Sequence, residues 1–74
     1  MSKDLISEIV ENIKEAAEEL REMGATASQF ERGLLLGYAD ALRIIQGAYA
    51  GYDLEEIGLD IDIEKEYLSH RAEN

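Results

Sequence analysis

The sequence contains no cysteine, no proline and no tryptophan, and a single phenylalanine. Without cysteine there is neither a disulfide framework nor a thiolate zinc site, the usual staples of small extracellular domains, so a reducing cytoplasm is the expected setting. Basic residues are also scarce: 7 Lys or Arg stand against 17 Asp or Glu, a formal net charge of −10 over 74 residues. That balance leaves no basic patch able to displace counterions from phosphates, so direct binding to DNA, RNA or anionic lipid is not expected. No apolar run has the length of a membrane span or a signal peptide. One domain is the ceiling, and a chain of about 60 to 80 residues buries only about 60% of its unfolded surface, so a partner or self-association is expected to help. Hydrophobic residues still make up 46%, above the composition of a disordered chain.

What is present is mostly helical pattern. Over residues 3–23, Ile6, Ile9, Val10, Ile13, Ala16, Ala17, Leu20 and Met23 follow the i, i+3, i+4, i+7 rule of one apolar stripe. In heptad terms Ile6, Ile13 and Leu20 take a, and Ile9, Ala16 and Met23 take d. Ser2 or Asp4 is placed to cap the start, and Gly24 sits where a left-handed residue ends a helix. The next start is doubly signalled, because Thr26 with Gln29 and Ser28 with Glu31 both satisfy the capping box. A second helix is expected over about residues 29–50, with Leu34, Tyr38, Ala41, Ile45 and Ala48 along its stripe, Leu35, Leu42 and Tyr49 on one flank, and Phe30 and Ile44 on the other. That stripe is wider than one helix covers. Gly33, Gly37 and Ala41 recur at a spacing of four within it, which points to close approach of the first helix or of a second copy of the same helix. Leu34, Gly37, Tyr38, Ala41, Leu42, Ile45 and Tyr49 are therefore the expected core or dimer residues.

Further on, Asp53 with Glu56 forms another capping pair and Gly58 closes one short turn. Leu59, Ile61 and Ile63 alternate with Asp60, Asp62 and Glu64, the period of a half-buried strand, yet Asp62 also suits the cap of a last helix carrying Ile63, Tyr67 and Leu68. With no second strand to pair with, an extended stretch leading into a short helix over about residues 63–71 is favoured, with a frayed tail at residues 72–74. The fold class is all-α: a single domain, residues 1–74, made of a helical hairpin and a short acidic C-terminal element.

Catalytic and metal chemistry find little support. Asp60, Asp62 and Glu64 begin like a calcium loop, but its sixth position is Lys65 where Gly is required and its twelfth is Arg71 where Glu is required. His70 is the sole imidazole and lacks a nucleophile, a second ligand or a glycine-rich loop beside it. No metal, no cofactor and no enzymatic activity are expected.

Charge is segregated along the chain: residues 1–28 carry net −4, residues 29–51 net zero, and residues 52–74 net −6. On the first helix Glu8, Glu11, Glu15, Glu18 and Glu22 recur at spacings of three and four, one carboxylate for about every 5 Å of rise, resembling a row of phosphates. With Asp53, Glu55, Glu56, Asp60, Asp62, Glu64 and Glu66, and with the interface-prone Tyr52 and Tyr67, this row suits a basic protein partner such as a nuclease or another nucleic-acid-binding protein. The alternative is that glutamate is a good helix former on a solvated face and that the chain is a homodimerisation module kept soluble by its acids.

The stretch Glu31-Arg32-Gly33-Leu34-Leu35-Leu36-Gly37-Tyr38-Ala39-Asp40-Ala41-Leu42-Arg43, with Gly-Leu-Asp-Ile-Asp at 58–62, resembles segments of small acidic proteins encoded by phages and integrated mobile elements of bacteria. The resemblance covers about a third of the chain and implies an accessory protein, in a group where anti-CRISPR and other host-defence inhibitors occur. It carries no functional residue across.

Overall fold

The computed structural model describes residues 3–68 and shows two long antiparallel helices with a short third one, in the order α1 (Lys3–Met23), α2 (Gln29–Ala48) and α3 (Ile63–Tyr67). Local signals account for the boundaries. Gly24 ends α1 with φ of 55° and opens a 3-10 turn, Gly24–Thr26, in which the Thr26 hydroxyl donates to the Met23 carbonyl. Thr26 is thereby taken up, and Ser28 is the residue that caps α2. The Glu31 N–H donates to Ser28 Oγ at 3.1 Å and the Ser28 N–H donates to Glu31 Oε1 at 2.8 Å, a reciprocal capping box. At the start of α1, Asp4 lies inside the first turn, and Ser2 falls outside the described residues.

The C-terminal element is a second 3-10 turn, Leu54–Ile57, then an irregular stretch and α3, with no strand among the described residues. Each piece has its own acidic cap. Asp53 accepts from the Glu55 N–H and Asp62 accepts from the Lys65 N–H, while Gly58, at φ of 79°, reverses the chain after the first of them. The expectation of a last helix after Asp62 thus holds as far as Tyr67, and Leu68 stands in the turn that closes it. Its extension to residue 71, the frayed tail and His70 lie outside the described residues.

The core takes up only part of the expected stripes. Its buried members are Val10 and Ala17 from α1, Leu35, Ala39 and Leu42 from α2, and Ile57, Leu59, Ile63 and Tyr67 from the C-terminal element. Four of those nine come from the last segment, so it is a third wall of the core and not an appendage to a hairpin. It lies against both long helices and turns each of them. On α1 the fully buried positions are Val10 and Ala17, with Ile6, Ile13 and Leu20 beside them and only partly covered. On α2 the buried line is the flank of Leu35, Ala39 and Leu42. Leu34 and Gly37 are exposed, and Tyr38, Ala41, Ile45 and Tyr49 are half-buried. Leu42 alone of the expected α2 set is fully enclosed. The physical reason is geometric: a stripe this wide faces two neighbours, and the element arriving last decides which flank is covered.

Of the two close approaches expected at the glycines, that of the first helix is not made. A Cβ placed on Gly33, Gly37 or Gly47 would meet nothing within 4 Å, so α1 does not approach them. Each lowers helix stability by about 0.8 to 1 kcal/mol relative to Ala, without a compensating contact among the described residues.

Gln46 is the α2 residue that sequence reading passed over. Its side-chain amide donates to the carbonyls of Leu59 and Ile61, both at 3.0 Å, in the stretch that has no regular partners of its own. Gln46→Met leaves two partly buried carbonyls unpaired and is expected to lower unfolding free energy by about 1 to 3 kcal/mol, as measured by chemical denaturation. A variant within error of the wild type would show that water replaces the amide at no loss.

Candidate acidic interface

Three polar side chains spaced by seven, Ser7, Lys14 and Arg21, run along one edge of α1 beside its buried line. Each donates to a backbone carbonyl of the C-terminal element at 2.9 Å: Ser7 Oγ to Glu56, Lys14 Nζ to Gly58 and Arg21 Nη1 to Glu66. This ladder lays the acidic C-terminal element lengthwise along α1. The next positions round the helix, at about 100° per residue, are those of the glutamate row. Two segments of net negative charge, distant in sequence, are thereby joined into one surface.

The seam between them is well defined. Glu11 Oε2 and Lys14 Nζ both lie near Gly58, at 3.6 and 3.5 Å from where a Cβ would stand. Arg21 lies 3.7 Å from a Glu18 carboxylate oxygen and 3.6 Å from one of Glu66, so it bridges the α1 row and α3. Both cations are thus engaged at the seam instead of standing out among the carboxylates. A shallow hollow on α1 is lined by Glu11, Lys14, Glu15, Glu18 and Glu19. Glu19 was not among the expected residues, and its place one step round from Glu15 and Glu22 is the signal that would have found it.

The structure brings together Glu11, Glu15, Glu18 and Glu66, and Glu8 and Glu22 continue the row along α1. Glu55 and Glu56 stand on the turn held against α1 by Ser7. Asp53 and Asp62 have their carboxylates occupied as caps, and Asp60 lies between the two carbonyls gripped by Gln46 of α2. Glu64 is exposed on α3. Tyr52 is 72% exposed with its ring 5.2 Å from that of Tyr49, at the C-terminal end of α2.

Tyr67, expected at the partner surface, is instead 1% exposed in the core. Its place in α3, four residues after Ile63, puts both on the inner side of that single turn. Burial raises the pKa of its phenol above the ordinary 10.0, and the carboxylates of Glu18, Glu66 and Glu11 add to the effect while Arg21 opposes it. Among the described residues no three His, Asp or Glu side chains are grouped to hold a metal ion, and no helix is long and apolar enough to cross a membrane.

No protein family, no curated protein and no solved structure matches this chain.

Two outcomes follow from the seam. Lys14→Met removes a donor to Gly58 and a cation between two acidic segments, so stability is expected to fall by about 1 kcal/mol, and by more at low ionic strength. Denaturation at two salt concentrations tests this, and a loss independent of salt would assign the effect to the hydrogen bond alone. Tyr67 sets an alkaline limit: because the folded pKa is raised, its contribution is complete below the unfolded value near 10.0 and is lost as pH rises through the folded value. In a pH series of unfolding free energies the wild type should therefore lose stability relative to Tyr67→Phe as pH rises above the unfolded value, and parallel curves would show that burial in the core does not shift the phenol.

Proposed function

We propose that the chain is a non-enzymatic binding module whose acidic face seats on the basic, nucleic-acid-binding surface of another protein, a nuclease being one such target, and blocks it by competition. The observation that supports this best is the ladder from Ser7, Lys14 and Arg21, which places the C-terminal acids beside the glutamate row of α1. Like charges so close repel each other, and a partner supplying Lys and Arg across both segments relieves that repulsion. Exposed carboxylates at intervals of about 5 Å along a helix present a spacing that such a surface already accepts from phosphates. The charge density favours fast, salt-sensitive association with a basic protein and disfavours nucleic acid or membrane as a direct partner. In this reading the resemblance to phage and mobile-element accessory proteins fits an inhibitor of the anti-CRISPR kind, working in a bacterial cytoplasm.

Glu8, Glu15 and Glu22 are the residues for the test, because they are exposed and lie in line one heptad apart. Tagged protein is used to capture partners from bacterial cytoplasm, and the column is developed first with double-stranded DNA and then with a salt gradient. Basic nucleic-acid-binding proteins are expected to be displaced by DNA and to elute at low salt. Combined Glu8→Lys, Glu15→Lys and Glu22→Lys should weaken capture by roughly a hundredfold, about 1 kcal/mol for each reversal, with the helical spectrum unchanged. Capture that survives both DNA and the triple reversal would rule the acidic row out as the binding surface.

A further inference from the structure

The side of α2 turned away from the core carries Phe30, Leu34, Gly37, Ala41 and Ile44 at spacings of four, three, four and three. Phe30 is 75% exposed and Ile44 72%, and the space over Gly33 and Gly37 is open. Nothing within the described chain needs glycine at either position, and nothing covers the two large side chains.

We propose that this face binds the same face of a second copy, the two α2 helices running antiparallel and crossing at Gly37. The pattern is self-complementary about that residue. Phe30 and Ile44 stand seven positions to either side of it and Gly33 and Ala41 four, with Leu34 flanking the crossing. In an antiparallel pair with its two-fold axis at Gly37, Phe30 of one copy lies over Ile44 of the other, while glycine faces glycine at the closest approach. Absence of a Cβ at the crossing lets the backbones near each other, and the bulky residues then close the ends.

Charge selects the occupant. Each copy carries −10, so contact through the α1 row or the C-terminal element would set acid against acid. The α2 face has no charged member. The neighbouring Asp40 carboxylate is paired with Arg43 of its own helix, and the four charges of α2 sum to zero. A basic partner finds nothing to pair with here, whereas an uncharged apolar face suits its own copy. The inference is independent of the acidic-interface reading: the glutamate row lies on the other long helix, and the dimer carries it twice.

Sedimentation equilibrium of the full chain over a concentration series tests this. The mass is expected to rise to that of two chains with concentration, and added salt should shift the midpoint to lower concentration by screening repulsion without weakening apolar contact. Gly37→Leu places a strong helix former in space open in the single chain, so helix content by circular dichroism should be retained or increased while the dimer is lost. Ile44→Lys, at an exposed position, should also yield a single chain. The Glu8, Glu15 and Glu22 reversals should leave the doubled mass in place, so failure of either reading is seen separately. A wild type of single-chain mass at every concentration would overturn the proposal, as would a Gly37→Leu or Ile44→Lys chain that dimerises as well as the wild type.

Discussion

The structure depends on how the backbone carbonyls of an irregular, acidic C-terminal element are satisfied. A segment with one 3-10 turn and one turn of helix leaves polar groups that no ladder of its own accommodates, yet four of its side chains are buried. The long helices supply the missing donors. Ser7, Lys14 and Arg21 reach it from α1 and Gln46 reaches it from α2, so five carbonyls are held from two sides. Ile57, Leu59, Ile63 and Tyr67 can then enter the core without stranding the backbone that carries them.

That arrangement forces an electrostatic conflict, because the element gripped is as acidic as the helix that grips it. The conflict is lessened in two ways. Lys14 and Arg21 stand at the seam, where each serves at once as hydrogen-bond donor and as counter-charge. Asp53 and Asp62 are turned to use at the starts of short helical segments, where an anion and its acceptor oxygen are both favourable. Among the described residues no carboxylate is buried. Exposed ion pairs such as Asp40 with Arg43 add little to stability, so burial and the carbonyl donors carry the fold. Burial raises the pKa of Tyr67, and the same carboxylate field adds to it from outside the core.

A consequence is that the two long helices present different chemistry to the outside. On α1 the side away from the core is a glutamate row extended by the C-terminal element, whereas on α2 it is uncharged and apolar. In the readings proposed above the first meets a basic surface and the second its own copy, and a chain with so modest a core would gain stability from either contact.

The sequence alone determined the elements whose causes are local. The extents of α1 and α2, the Ser28 and Glu31 box, the left-handed glycines at 24 and 58, and the Asp62 cap all act within about one helical turn, so they are readable from neighbouring residues. The charge segregation and the Glu8 to Glu22 row were legible for the same reason. Tertiary structure decided the rest: that Val10 and Ala17 replace the heptad seam as the buried line, that Leu35, Ala39 and Leu42 are covered while Phe30, Leu34 and Ile44 are left out, that Tyr67 is core, and that Lys14, Arg21 and Gln46 are tethers. None of these follows from spacing, because a wide apolar stripe is compatible with several partners. Which flank is buried is fixed only when an element 44 to 49 positions from its donors on α1, and 13 to 15 from Gln46 on α2, is gripped by both.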